Sequence, residues 1–240
     1  MNSPDISQAP VYWVIVPAAG VGSRMGANCP KQYLPLLGKT VLEHTLERLQ
    51  SIPLVKSVHL VLAGNDEFWL ELACANNKNI IRVGGGRERA DSVLNGLNAL
   101  PAWAKETDWV LVHDAARPCV RAQEIIKLID TVADHPVGGI LGVPVSDTLK
   151  QVSNATIDTT IDRSLLWQAQ TPQLFRVGLL RNCLQQALSE GKTITDEASA
   201  LEVYGYHPLM VQGRSDNIKI TRQEDLAIAA MLMQQQNNID

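Results

Sequence analysis

Val14-Ile15-Val16-Pro17-Ala18-Ala19-Gly20-Val21-Gly22-Ser23-Arg24-Met25-Gly26, with Pro30-Lys31-Gln32 close behind, is the stretch whose reading decides the fold. Val11 to Val16 is a continuous β-prone run of the kind buried on both faces of a sheet, and it ends abruptly in small residues and glycines. Alanine and glycine let a backbone come close to a ligand, and a loop of free N–H groups suits phosphate oxygens. Arg24 inside the loop and Lys31 just beyond it add two cations, which together suit a ligand with several negative charges, such as a nucleoside triphosphate. Solvated surface cations and ordinary turn glycines are the plainer readings of the same residues.

Two familiar phosphate loops do not fit. A Walker A loop ending in Gly38-Lys39-Thr40 would need glycine where Tyr33 stands. The dinucleotide fingerprint begins well at Gly20 and Gly22 but meets Met25 where its third glycine belongs. A cation inside the loop is also foreign to a pyrophosphate held mainly by a helix N-terminus.

Outward from the loop, strands and helices alternate. Val41, Leu42, Thr45, Leu46 and Leu49 recur at helical spacing and predict a helix ending near Gln50. Strands are predicted over Val58 to Ala63, Ile80 to Val83, Trp109 to His113 and Gly139 to Val143. Helices are predicted over Glu67 to Ala75, Asp91 to Leu100 and Ala122 to Ala133. Short connections between them imply right-handed β-α-β crossovers and a mainly parallel sheet. From Val145 to Asp162 the alternation gives way to polar and β-branched residues. Thr148 to Val152 and Thr156 to Ile161 read as a hairpin with its turn at Ser153-Asn154. A lone two-stranded hairpin is marginal in water, so it packs either on a second copy of the chain or back on its own domain. Val177 to Ser189, Asp196 to Val203 and Arg222 to Met233 follow as helices, the last with Thr221 and Glu224 at capping-box spacing. Leu209 to Gln212 and Ile218 to Ile220 read as short strands.

The 240 residues suit one domain over 1–240, with residues 1–10 a flexible tail and about 145–163 the hairpin. A net charge of −4 argues against a nucleic-acid surface. Cys29, Cys74, Cys119 and Cys183 are scattered without metal-ligand spacing and read as reduced cysteines of a cytoplasmic protein. No secretory signal or membrane-length apolar run is visible.

The block from Pro17 to Met25 with Pro30-Lys31 resembles the signature of nucleotidyltransferases that activate sugar and polyol phosphates. Further blocks narrow the resemblance along nearly the whole chain. They are Gly85-Gly86 with Arg89-Ala90-Asp91-Ser92-Val93, then Val112-His113-Asp114-Ala115-Ala116-Arg117-Pro118, Asp147-Thr148 and Asp162-Arg163. Gln170-Thr171-Pro172-Gln173, Thr195-Asp196-Glu197-Ala198-Ser199 and Asp216-Asn217-Ile218-Lys219 complete the set. Together they are similar to the 2-C-methyl-D-erythritol 4-phosphate cytidylyltransferase family of the non-mevalonate isoprenoid pathway.

The resemblance implies an α/β, Rossmann-like, mainly parallel twisted sheet with helices on both faces and a protruding β-hairpin dimerisation arm. It implies cytidylyl transfer from CTP to methylerythritol phosphate, with Mg²⁺ as cofactor and a homodimer formed through the arm. Arg24, Lys31 and Lys219 take the catalytic positions. Ala18, Ala19, Gly20, Gly22, Gly85, Gly86, Asp91 and Ser92 take the nucleotide, although Asp91 or Ser92 could equally cap a helix. Asp114, Arg117, Thr148, Arg163, Thr171 and Thr195 take the second substrate, and Asp114 with Asp216 the metal. A ribitol-5-phosphate cytidylyltransferase shares the glycine loop, and a nucleotide-binding regulator without catalysis is the reading from a different class.

Overall fold

The computed structural model describes residues 10–20 and 29–238. The tail residues 1–9, and Gly22 and Arg24 of the glycine loop, lie outside the described residues.

The first strand, β1 (Tyr12–Pro17), is followed by a short hairpin of β2 (Pro35–Leu36) and β3 (Lys39–Thr40). Gly38 turns that hairpin with φ +82, and Thr40 caps the helix α1 (Val41–Gln50) by accepting from the Glu43 N–H. The Walker-like Gly38-Lys39-Thr40 is therefore a turn and a helix cap. β4 (Val55–Leu62), β5 (Ile80–Gly84), α2 (Arg89–Asn98), β6 (Trp109–Val112), α3 (Ala122–Val132) and β7 (Gly138–Pro144) complete the alternating half. The hairpin β8 (Leu149–Ser153) and β9 (Thr156–Ile161) follows, then β10 (Trp167–Arg176), α4 (Val177–Ser189), α5 (Glu197–Glu202), β11 (Leu209–Gln212) and α6 (Glu224–Asn237).

Seven strands form one sheet in the order β11-β7-β10-β6-β1-β4-β5, and every pairing is parallel except those of β10, which is antiparallel to both its neighbours. The period of two along each strand sends alternate side chains to opposite layers. Tyr12, Val14 and Val16 face one core with Leu42 and Leu46 of α1 and Ile125 and Leu128 of α3. Trp13 and Ile15 face the other, with Val93 and Leu97 of α2 and Leu180 and Leu184 of α4. Helices thus cover both faces, and each fully buried leucine or valine contributes about 1.5–3 kcal/mol. A third cluster seats α6 through Ala229 and Met233 on Leu36, Val41 and Cys119. Among the described residues no helix is long and apolar enough to cross a membrane.

Three predicted elements differ. Glu67 to Ala75 is not one helix but two 3₁₀ turns, Phe68–Glu71 and Ala73–Asn76, parted by the extended backbone of Leu72. Asp66 explains the first turn: its carboxylate accepts the Trp69 N–H at 3.1 Å and the Tyr33 hydroxyl at 2.8 and 2.9 Å. Ile218 to Ile220 is not a strand, because its backbone is spent irregularly, with the Ile220 N–H donating to the Ala116 carbonyl. α6 is started by Asp225 rather than Glu224, its carboxylate accepting the Thr221 and Arg222 N–H groups at 2.8 Å each. β10 was not foreseen as a strand, because Pro172 in a polar run argues against one. The pairing with β7 skips in register between Ala169 and Gln173, which makes room for it.

Candidate active site

Strand order reverses between β1 and β6, since β4 and β5 lie to one side of β1 and the crossover from β5 returns to the other. Ligands in open α/β sheets bind beyond the strand C-termini at such a point. A cleft lies there, lined by Pro17, Ala18, Ala19, Gly20, Lys31, Gln32, Gly86 to Arg89, Ser92, Asp114 to Ala116 and Lys219. Of the residues expected to hold nucleotide or do chemistry, Ala18, Ala19, Gly20, Lys31, Gly86, Ser92, Asp114 and Lys219 share this one cleft.

The loop after β1 is pinned on both sides. Gln32, buried, donates its amide to the Ala18 carbonyl at 2.8 Å, and the Ala18 N–H donates to Val61. Lys31 stands at the start of the 3₁₀ turn Lys31–Tyr33, and its ammonium donates to the Ile220 carbonyl at 3.0 Å. Gly85 lies directly behind the cleft: a Cβ there would fall 2.4 Å from the Ala19 Cβ, so only glycine allows the two loops to touch. Gly86 donates its N–H to the Ser92 hydroxyl at 3.1 Å, and that hydroxyl donates to the Glu88 carbonyl. Asp91 turns away to accept the Glu88 N–H at 2.9 Å, so it serves as a helix cap and does not line the cleft.

Asp114, just past β6, is the centre of charge. Its Oδ1 meets Arg89 Nη2 at 3.3 Å, and its Oδ2 meets Lys219 Nζ at 2.9 Å and Arg117 Nε at 3.4 Å. Burial alone would raise its pKa, but Arg89, Lys219 and Arg117 outweigh burial and hold the carboxyl well below the usual carboxylate range. Arg117 also donates to the Asn217 carbonyl at 2.7 Å, and Arg89 forks onto Glu197 at 2.6 and 3.1 Å. Lys31, Arg89, Arg117 and Lys219 together outweigh Asp114 and Glu197, so the site is cationic within an acidic chain.

A buried hydrogen-bond chain aims Asp114. His113 is fully buried and its pKa is lowered to about 4, chiefly by burial, so the ring is neutral near pH 7. Its Nε2 lies 3.1 Å from the Arg117 carbonyl, which can only accept, so Nε2 carries the proton and Nδ1 is an acceptor. The Thr171 hydroxyl therefore donates to Nδ1 at 3.1 Å and accepts the Asp114 N–H at 3.0 Å. Thr171, expected to bind substrate, is buried and spends its proton on this chain.

The other expected residues lie elsewhere. Thr148 and Arg163 are exposed at the base of the hairpin, where Arg163 donates to the Ser146 carbonyl. Thr195 is exposed beside α5, its N–H donating to Ser199 at 3.1 Å. Asp216, expected near a metal, is taken by Arg121 at 2.7 Å and Arg214 at 3.1 Å and is absent from the cleft lining. Among the described residues no group of three or more His, Cys, Asp or Glu could hold an ion. Asp114, in the cleft lining, offers the carboxylate oxygens that a Mg²⁺ prefers. Arg89, Glu197 and Gln32 stand within the quoted motifs but carry no role in the sequence reading, because each acts through a partner at least 14 residues away.

A switch-point cleft with an alanine-glycine loop, converging lysines and one buried aspartate defines a nucleotide-dependent transferase of the α/β class. The chain belongs to the 2-C-methyl-D-erythritol 4-phosphate cytidylyltransferase family, whose model matches residues 12–235. It is 55% identical over 221 residues to the 2-C-methyl-D-erythritol 4-phosphate cytidylyltransferase of Aliivibrio fischeri (strain MJ11), covering 92% of each chain. The solved 2-C-methyl-D-erythritol 4-phosphate cytidylyltransferase of Francisella tularensis superposes with TM-score 0.81 at 39% identity, over 92% of this chain and 99% of that one. A solved 4-diphosphocytidyl-2C-methyl-D-erythritol synthase gives TM-score 0.82 at 40% identity, over 95% and 100% of the two chains.

Proposed function

We propose that this chain transfers the cytidylyl group of CTP to 2-C-methyl-D-erythritol 4-phosphate, releasing pyrophosphate and forming 4-diphosphocytidyl-2-C-methyl-D-erythritol. The observation that carries the reading is the convergence of Ala18 to Gly20, Lys31, Asp114 and Lys219 in one cleft at the strand-order reversal. A phosphate oxygen of the alcohol substrate attacks the α-phosphorus, its bond forming as the bond to pyrophosphate breaks. The attacking phosphate is ionised at neutral pH, so the chemistry asks for alignment and charge stabilisation rather than a strong base.

In this reading Lys31 and Lys219, both lining the cleft, neutralise charge on the triphosphate, and the family resemblance gives Arg24 the same task. Gly20, in the cleft lining, presents its backbone amide to the triphosphate. Gly86 and Ser92 face the base, in a pocket kept narrow by the contact of Gly85 with Ala19. Asp114 would hold a Mg²⁺, which would supply charge screening on the triphosphate. Arg117 steadies Asp114.

The arm supports a homodimer. Val152 and Ile157 are 54% and 61% exposed on a two-stranded hairpin that has no third strand. A partner covering them would bring Thr148 and Arg163 toward its own cleft, which accounts for their distance from the cleft of the same chain. The whole chain acts as one domain, and its four unpaired cysteines accord with a cytoplasmic setting.

A steady-state assay of pyrophosphate release with CTP and methylerythritol phosphate tests the reading. Turnover with this pair, and little with other nucleotides, is expected. Faster turnover of ribitol 5-phosphate would overturn the choice of alcohol, and no pyrophosphate with either would overturn the transferase.

A further inference from the structure

Glu197 is a carboxylate that the reaction outlined above does not use, yet it is 1% exposed and carries a full ion pair. It stands at the first position of α5, on a rigid mount. The preceding Asp196 accepts the Ser199 N–H at 2.9 Å and the Gln173 amide at 2.8 Å. The following Ala198 donates its N–H to the Gln173 side-chain oxygen, Oε1, at 2.9 Å. Gln173, itself buried in β10, thus grips both neighbours of Glu197 and leaves its side chain one direction.

That direction ends on Arg89. A guanidinium is a rigid planar fork, so whichever carboxylate takes its terminal nitrogens sets its plane. Glu197 takes both at 2.6 and 3.1 Å, while Asp114 receives the side of the fork at 3.3 and 3.4 Å on a single oxygen, Oδ1. Oδ2 stays open to Lys219 at 2.9 Å. Were Glu197 uncharged, Arg89 could turn its fork onto both oxygens of Asp114 and displace Lys219.

We infer that Glu197 is a positioning residue: by holding Arg89 from outside the cleft, it keeps one oxygen of Asp114 for Lys219 and so sets where that ammonium stands. The inference rests on the cytidylyl-transfer reading and deepens it.

Its test is the kinetics of Glu197→Gln with CTP and methylerythritol phosphate, wild type alongside. A misplaced group in such a site costs up to about 100-fold, so kcat should fall roughly tenfold or more, with KM for CTP changed less than about twofold. An unchanged kcat per folded enzyme would overturn it. Should the single variant fold poorly, Arg89→Gln and Arg89→Gln/Glu197→Gln answer the same question without an unpaired buried charge in the double variant. If Glu197 acts through Arg89, the double variant is no slower than Arg89→Gln. A further fall in the double variant refutes the coupling. A wild type that does not turn over would sink the functional reading and this inference together, whereas an active wild type indifferent to Glu197→Gln sinks the inference alone.

Discussion

In the cleft, side chains meet from far along the chain: Arg89 with Glu197, Lys31 with the Ile220 carbonyl, Thr171 with His113. In the β-arm they meet near neighbours, Lys150 with Thr160 and Ser153 with Asp158, each at 2.6 Å. The cleft is largely buried and fixed by partners on several elements, whereas β8 and β9 are exposed along nearly their whole length. A site that aligns two anions must be preorganised, and long-range polar contacts in a low dielectric supply that rigidity. A hairpin with only local contacts keeps little stability of its own. The contrast teaches that the cleft is fixed by partners drawn from distant parts of the chain, while the arm's side chains are held by local contacts.

The largest effect should come from the cleft. Lys31→Ala is expected to lower kcat roughly 100- to 1,000-fold while the far-UV circular dichroism stays unchanged. Near-normal turnover would remove Lys31 from the chemistry. On the arm, Arg163→Ala should raise KM for the alcohol phosphate about tenfold and KM for CTP far less, a loss of substrate contact rather than of chemistry. Equal damage to CTP binding would place Arg163 on the wrong substrate. Mixing the Lys31 and Arg163 variants should restore activity through hybrid dimers, and no recovery despite proven subunit exchange would break the idea of a shared site.

Protonation offers a smaller effect confined to the buried regions. His59 and His113 are both lowered from 6.5 to about 4, chiefly by burial. Between those values the unfolded chain binds more protons than the folded one, so stability rises with pH across that window and is lost as pH falls through it. Each histidine contributes a slope of up to about 1.4 kcal/mol per pH unit. Thermal melts from pH 7 to 4 should show it, and His59→Leu should flatten it; a flat wild-type profile would mean that these rings are charged or exposed. The smallest effect belongs to the arm's turn. Asn154 and Ala155 hold φ +50 and +61, a geometry that favours glycine at the second position. Ala155→Gly should stabilise the hairpin by about 1 kcal/mol, read as slower hydrogen exchange of β8 and β9 amides with kcat unchanged.

Much of this was legible in order along the chain. α4 and β11 fall where periodicity and β-propensity place them, because each packs one regular face on the sheet. β10 was not legible. Its Gln170, Thr171 and Gln173 are buried, and each hydrogen-bonds a residue remote in sequence, respectively Arg214, His113 and Asp196. The same holds for Asp216, to which the family resemblance assigns a metal, while Arg121 from the start of α3 pairs with it.

What the sequence by itself determined is the run from Val11 into Ala18-Ala19-Gly20, the alternation that makes the sheet, and the presence of Lys31, Asp114 and Lys219 at the ends of elements. Those are local matters of side-chain size, backbone freedom and periodicity. The tertiary structure alone decided that Thr171 serves His113 and Asp114, and that Arg89 is shared with Glu197. Hydrogen bonds and ion pairs between residues a hundred positions apart depend on which elements the sheet brings side by side, and no local pattern encodes that choice.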